Sequence, residues 1–339
     1  MLHGSDNAFL LHSTPIKYPL RLTIQHWQLR DLLLCPFTRD ELFVVNQNTL
    51  LRYCPHNDET SPVMKHLPFT PVSMAVGCGY VAAGGQRSQL SIRELDNNWC
   101  VAWHIGGTIN NAIHISRHLD QNRIVVCNND QTIKAFTLPD LNKVATVQLP
   151  VAVNHASISP DGRRMVAVGD SNEIFMFDVR SGGYFHTATL KGAEDAGFST
   201  AWNRIGNQFV VASQDGRVIV WDIRSSEKLA TLTCTQSDGT LHEQQPSRVR
   251  GAVRCVKFSQ SGAVDLLAFS EHVNYVNVVD ARTYQDRQSI CIAPDMDAHI
   301  AGMDFSPCGT RLFVGTENSV AAFDVDVMAR HRFAHGVLA

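Results

Sequence analysis

The sequence predicts an all-β fold made of repeated units, and three observations carry this prediction. Short segments of alternating apolar and polar residues, typical of half-buried strands, recur along the chain. Turns rich in Asp, Asn and Gly separate these segments, and such residues tolerate the positive φ angles of tight turns. The same order of strands and turns returns about every 40 residues, which indicates an internal repeat.

The repeat is clearest in the second half of the chain. One unit, Ala156–Arg180, contains a strand, a Pro-Asp-Gly turn at 160–162, a second strand, a polar turn, and a third strand ending in an aromatic-Asp pair. Three further copies follow it. Upstream, weaker pairs of strands keep the same order: Glu41–Gln47 with Thr49–Tyr53, Tyr80–Gly84 with Gln89–Leu95, and Ile124–Asn128 with Thr132–Leu138.

Seven copies can be aligned on their third strands, with steps of 40, 43, 41, 44, 58 and 44 residues, at Tyr53, Arg93, Phe136, Phe177, Trp221, Val279 and Phe323. A four-stranded sheet cannot bury both faces alone, so neighbouring sheets must stack and the ring must close. We therefore predict a seven-bladed β-propeller of four-stranded antiparallel blades. A β-sandwich, or two β-domains, also fits short alternating strands, but the recurring turn chemistry favours the ring.

Residues 1–339 are predicted to form this single domain. The N-terminal segment, about 1–27, is expected to close the ring by adding Arg21–Gln25 to the last blade as a strand. The enlarged step reflects an insertion at about 233–251, which is polar, lacks periodicity and contains Gly and Pro. It is expected to be a mobile loop that joins the fifth blade to the sixth, either a binding element or a tolerated insertion.

From about Gln25 to Val327 the pattern resembles the WD-repeat family. Trp221-Asp222 is an intact copy of the family's signature dipeptide, and variants of it occur in three other copies: Phe177-Asp178, Val279-Asp280 and Phe323-Asp324. The family's Gly-His pair at the start of a blade is absent. The His–Ser–Asp–Trp hydrogen-bond brace of such blades is therefore expected to be incomplete, and packing between sheets should carry more of the stability.

The segment Arg30–Leu34 also resembles a short Asp-Leu-Leu element of poorly characterised fungal WD-repeat proteins. Five residues carry little information, and an ordinary first strand is the preferred explanation for them.

A more specific resemblance covers Phe209–Arg224, which is similar to the box shared by WD-repeat substrate receptors of cullin-4-type ubiquitin ligases. The resemblance implies that Arg224 docks the ligase adaptor and that Asp222 braces the turn. Arg180, which ends Phe177–Arg180, is the counterpart in a second, degraded copy. Trp-Asp-x-Arg can also serve only to stabilise a blade, because the Asp can accept hydrogen bonds from turn amides and the Arg can pair with an acidic residue.

Composition and motifs argue against several other classes of protein. The net charge of −3 gives no global basic field for nucleic acid, and no run approaches the ~20 apolar residues of a membrane span. Nine scattered cysteines without a C-x-x-C pair indicate neither a disulfide framework nor a zinc site, and favour a reducing compartment, cytoplasm or nucleus. No cofactor or metal motif is present, and no set of catalytic residues is expected to converge in the central funnel.

The sequence thus predicts a non-enzymatic scaffold that binds protein partners as a subunit of a larger complex. A ligase substrate receptor is the more specific alternative, and an enzyme with its site in the funnel is the alternative from another class. The candidate interaction residues lie in the two boxes and in the insertion: Arg180, Asp222, Arg224, His242, Arg248 and Arg250.

Overall fold

The computed structural model describes residues 14–225, 227–235, 251–328 and 330. Within these residues, 28 strands form seven four-stranded antiparallel sheets. Each sheet pairs its strands in chain order, except that the first strand of the chain is the outermost strand of the last sheet. The predicted seven-bladed β-propeller is confirmed.

The blades are numbered in chain order, and their strands run from the centre outward. Blades one to three contain β2 (Leu33–Leu34), β3 (Leu42–Asn46), β4 (Thr49–Cys54) and β5 (Glu59–Met64); β6 (Ser73–Gly77), β7 (Tyr80–Gly84), β8 (Gln89–Glu94) and β9 (Cys100–His104); and β10 (Asn110–His118), β11 (Gln121–Asn128), β12 (Thr132–Leu138) and β13 (Lys143–Gln148). Blades four and five contain β14 (Val153–Ile158), β15 (Arg164–Gly169), β16 (Glu173–Arg180) and β17 (Gly183–Lys191); and β18 (Gly197–Trp202), β19 (Gln208–Ser213), β20 (Arg217–Asp222) and β21 (Glu227–Thr233). Blades six and seven contain β22 (Val253–Phe258), β23 (Leu266–Glu271), β24 (Tyr275–Asp280) and β25 (Arg287–Cys291); and β26 (Ile300–Phe305), β27 (Arg311–Thr316), β28 (Val320–Asp324) and β1 (Ile16–Tyr18).

The N-terminal segment closes the ring, but not with the predicted residues. β1, Ile16–Tyr18, pairs with β28 in the register Ile16 to Ala322 and Tyr18 to Val320. The prediction that Arg21–Gln25 forms the closing strand of the last blade was therefore wrong. That segment already belongs to the connection that crosses to blade one, where Leu22 N–H and Thr23 N–H bond the carbonyls of Thr316 and Val45.

The blades are held together by apolar side chains buried between neighbouring sheets. Between blades four and five, Trp202 Nε1 donates to the Ser157 carbonyl at 3.1 Å, and the ring of Phe209 stacks on that of Trp221 with centroids 6.2 Å apart. Phe209 is 1% exposed. Burial of each large side chain of this kind contributes about 1.5–3 kcal/mol.

The family's polar brace is not assembled in blade five. Ser213 Oγ donates to the carbonyls of Asp195 and Ala196, while the buried Nε1 of Trp221 has no hydrogen-bond partner. The absence of the family's Gly-His pair predicts this incomplete brace. The ring of Trp221 is held instead by stacking on Phe209.

Alternating strand directions give the ring two distinct faces. The turns that follow the first and third strands of a blade, such as 181–182, lie on what we call the lower face. The turns after second strands and the described connections between blades, such as 19–32, lie on the upper face.

No helix in the described ranges is both long and apolar enough to pass through a membrane.

Candidate functional site

Arg180 and Arg224 lie at equivalent places on the lower face. Arg180 is the last residue of the third strand of blade four, β16, and Arg224 lies two residues after the third strand of the neighbouring blade five, β20. Their side chains are 63% and 71% exposed. The fold therefore brings the two box arginines to one surface.

Arg224 is held in place by Asp222 of its own turn. Oδ1 of Asp222 accepts hydrogen bonds from the backbone N–H and the Nε–H of Arg224, both at 2.9 Å, and Oδ2 pairs with Nη2. These bonds hold the pKa of the Asp222 carboxyl well below its usual range, at about 2. The guanidinium is thus fixed in position while most of its surface faces solvent.

Arg180 is positioned by a residue that the sequence analysis missed. The guanidinium of Arg123, which is 1% exposed in blade three, donates to the carbonyls of Arg180 at 3.1 Å and Ser181 at 3.0 Å. Arg180 itself pairs with Asp178 at 3.2 Å and lies over the Phe185 ring at 5.0 Å. The only sequence signal for Arg123 was a charged residue at the start of an apolar strand.

A third Asp-x-Arg turn, in blade six, is used differently. Arg282 pairs with Asp265 at 3.0 Å and also donates to the carbonyls of Ala263 and Arg330, so its side chain is only 30% exposed. Asp280 of the same turn pairs instead with Arg330 at 2.6 Å. Arg282 therefore stabilises the blade and is not presented as Arg180 and Arg224 are.

Exposed apolar side chains also lie on the lower face. Leu119 and Ile205, in turns after first strands, are 75% and 73% exposed, and Phe185 is 46% exposed. A cavity of about 220 Å³ opens between blades five and six, lined by Ile205 and Arg282 among others. Arginine beside exposed apolar groups is a composition typical of protein interfaces.

The three remaining candidates, His242, Arg248 and Arg250, belong to the insertion and lie outside the described residues.

The central channel holds a polar cluster that the sequence analysis did not anticipate. A cavity of about 340 Å³ is lined by ionisable and hydroxyl side chains from several blades, among them Asp31, His114, His155, Thr200, Lys257 and Asp304. Lys257 Nζ pairs with Asp31 at 2.8 Å, and Asp304 accepts the Cys35 backbone N–H at 2.8 Å. These residues come from distant parts of the chain and meet only when the first strands close around one axis.

Asp31 belongs to the segment Arg30–Leu34, for which an ordinary first strand was the preferred explanation. Only Leu33 and Leu34 form β2. Asp31 has a φ of 106° and its N–H bonds the Ala301 carbonyl, which leaves its carboxylate beside Lys257. The strand interpretation therefore fails for the Asp of this element.

Burial sets the protonation of the channel groups. It lowers the pKa of His114 to about 4 and that of His155 to about 3, so both rings are neutral at pH 7. The Thr200 hydroxyl lies 3.0 Å from Nδ1 of His155, but a histidine with so low a pKa is a weak base. This pair does not favour general-base chemistry.

Within the described part of the chain, no three His, Cys, Asp or Glu side chains are placed so that they could hold a metal ion.

Asp304 makes stability depend on pH. Burial outweighs the attraction of Lys257 and raises the pKa of Asp304 to about 6, above about 3.9 in an unfolded chain. The folded state therefore binds the proton more tightly, and stability from this group is present below about pH 4 and lost as pH rises through 6. Asp304→Asn should be more stable than wild type by about 1–2 kcal/mol at pH 7.5, and equal to it near pH 4.

Urea unfolding of both proteins across this pH range measures the difference. A constant difference from pH 4 to 7.5 would contradict the assignment to Asp304.

Two family models match parts of the chain. The description of one is "WD domain, G-beta repeat", and it matches residues 186–222, from the outer strand of blade four to Trp221-Asp222. The other is an uncharacterised protein domain (DUF2415), and it matches residues 251–291, the whole of blade six.

Similar proteins include two from fungi. An uncharacterised protein of Schizosaccharomyces pombe is 29% identical over 341 residues, covering 96% of this chain and 95% of that protein. An uncharacterised protein of Saccharomyces cerevisiae is 26% identical over 231 residues, covering 56% of this chain and 30% of that protein. WD repeat-containing protein 1 of Xenopus tropicalis is 24% identical over 162 residues, covering 39% of this chain and 27% of that protein.

Proposed function

Because the chain is a divergent WD-repeat β-propeller that resembles uncharacterised fungal proteins, we propose that it is a non-enzymatic scaffold whose lower face binds a protein partner. One observation carries this proposal. Two arginines, each paired with the Asp two residues before it, are exposed at equivalent positions in adjacent blades, on a face that also exposes apolar side chains. Exposed arginines that are already held in fixed positions lose little side-chain entropy on binding, which favours an interaction hot spot.

The more specific version of this proposal is a substrate receptor of a cullin-4-type ubiquitin ligase. The similarity of Phe209–Arg224 to the receptor box supports it, as does the presentation of Arg180 and Arg224 in neighbouring blades. In this version the adaptor is the partner at the lower face, and the protein is one subunit of a larger complex. Nine cysteines without a disulfide fit a reducing compartment, and we propose the cytoplasm or the nucleus.

The arginine pair is tested by Arg180→Ala, Arg224→Ala and the double variant. Each single change is expected to weaken partner binding by at least ten-fold, since truncation of a hot-spot arginine costs about 2 kcal/mol or more. Asp222→Asn keeps the arginine but loosens it, so it should weaken binding less than Arg224→Ala. The measurement is quantitative capture from lysate by the full chain, with Arg87→Ala, an exposed arginine on the upper face, as the matched control.

A second arm uses the purified ligase adaptor alone and separates the two versions. Loss of adaptor binding in the double variant supports the receptor version. Arginine-dependent capture of other proteins, without adaptor binding, supports the scaffold and excludes the receptor. If the double variant captures the same partners as wild type, both versions fail.

A further inference from the structure

Five blades share a β-bulge at the second residue of the first strand, near the upper face. In blades three to seven the register shifts at this residue, and the bulged residues are Asn111, Asn154, Phe198, Arg254 and Ala301. A bulge re-aims a side chain out of the regular alternation of the strand. The repeat thus presents five different side chains at one structural position.

In two blades the bulged side chain has a clear structural role. Asn111 Nδ2 donates to the Val153 carbonyl at 2.8 Å, and Asn154 Nδ2 donates to the Gly197 carbonyl at 3.0 Å. Each bond joins a blade to the start of the next one. Every polar group brought to this position in blades three and four is therefore satisfied by the protein itself.

Arg254, at the same position in blade six, is not satisfied in this way. It is 2% exposed, and its guanidinium lies over the Phe198 ring at 4.2 Å, toward blade five. Nε approaches His272 Nδ1 at 3.4 Å, while Nη1 and Nη2 have no hydrogen-bond partner among the residues that the structure describes. The two terminal nitrogens of this guanidinium are thus buried, and the described residues accept no hydrogen bond from them.

A second buried arginine lies close by in the connection that closes the ring. Arg30 is 8% exposed, and its Nη1 donates to the carbonyls of His26 at 2.7 Å and Leu29 at 2.9 Å, but its Nε has no partner. Among the described residues, no carboxylate comes within ion-pair distance of Arg30 or Arg254. Burial and the neighbouring Arg30 charge lower the pKa of Arg254 to about 9, and the opposing charge of Asp195 offsets only part of this shift.

Trp27 connects this buried pair with the solvent. Its side chain is 58% exposed, and the guanidinium carbon of Arg254 lies 5.9 Å from its ring. An exposed indole beside a buried guanidinium can contact one side of a ligand while the arginine binds it.

We propose that Arg254, with Arg30 and Trp27, forms a binding site on the upper face for an oxyanion, a carboxylate or a phosphoryl group. A guanidinium fork matches two oxygens of such a group, and the paired bonds would satisfy the donors that the fold leaves unused. This site lies on the face opposite Arg180 and Arg224, so it does not depend on the proposed function.

The site is tested with inorganic phosphate, and with acetate in a second arm, against sodium chloride at equal ionic strength. Phosphate or acetate should raise the Tm of the full chain in a saturable way, by about 2 °C or more at ten times the Kd. It should also change the fluorescence of Trp27, which Trp27→Phe identifies. A response to acetate but not phosphate assigns the ligand group as a carboxylate, and the reverse assigns a phosphoryl group.

Arg254→Met keeps the packing on Phe198 and removes the charge. We expect it to abolish the anion response while its Tm without anion stays equal to wild type or rises, since an unpaired buried charge is removed. Arg254→Lys keeps the charge but loses the fork, and should bind at least several-fold more weakly. Arg224→Ala, on the lower face, is the matched control and should respond as wild type does.

Asp195→Asn separates a ligand site from a purely structural arginine. Asp195 is an acidic neighbour whose charge stabilises protonated Arg254 without contacting it. If an anion binds here, removal of this competing charge should tighten anion binding several-fold. The proposal is overturned if neither anion raises Tm, if Arg254→Met keeps the response, or if Arg254→Met and Asp195→Asn both lower Tm equally without any anion effect.

Discussion

Replacing Lys257 with Met is expected to lower the free energy of unfolding by about 3 kcal/mol at pH 8. Lys257 Nζ lies 2.8 Å from the carboxylate of Asp31, and its charge also interacts with that of Asp304. The lysine side chain is only 20% exposed. Without it, two carboxylates remain in the channel with their charges uncompensated. Removal of one partner of a buried pair costs more than the pair itself contributes, because the remaining charge stays desolvated.

The loss in Lys257→Met should shrink at low pH. Burial already raises the pKa of Asp304 to about 6, and loss of the lysine raises it further, so this carboxyl becomes neutral at pH 5. Equilibrium urea unfolding at pH 5 and pH 8 measures the effect. Lys257→Met combined with Asp31→Asn should recover part of the loss, whereas Lys143→Met, an exposed lysine, should change little. An equal loss for Lys143→Met would contradict the role of the channel pair.

Arg330→Met is expected to destabilise the protein by about 3–5 kcal/mol. Arg330 is 1% exposed and joins the end of the described chain to blade six. It pairs with Asp280 at 2.6 Å and donates to the carbonyls of Val264 at 2.7 Å and Asp265 at 2.9 Å. Its loss leaves a buried carboxylate without its cation and two carbonyls without these donors.

Arg224→Met is the matched control for this prediction. Both arginines pair with the Asp of an Asp-x-Arg turn, but the Arg224 side chain is 71% exposed and that of Arg330 only 1%. Exposed ion pairs contribute little to stability, so Arg224→Met should unfold at nearly the same urea concentration as wild type. Equal midpoints for the two variants would show that Arg330 does not stabilise blade six.

The order of strands was predictable because it depends on residues that are close together in the chain. The alternation of apolar residues sets the strands, and Asp-Gly and Asn turns set their ends, so all seven aligned positions from Tyr53 to Phe323 lie in third strands. The closing strand was misplaced because Ile16–Tyr18 has only three residues, two of them exposed, and gives almost no pattern. Its position depends on pairing with β28, more than 300 residues away in the chain.

The sequence by itself determined the fold class, the blade boundaries and the turns that carry Arg180 and Arg224, since each depends on residues close together in the chain. Only the tertiary structure decided which charges meet. Closing the ring joins distant segments, so that Lys257 meets Asp31 and Arg330 meets Asp280, while no carboxylate of the described residues pairs with Arg254. Charge pairing depends on distances of a few ångströms between such segments, and no local pattern encodes those distances.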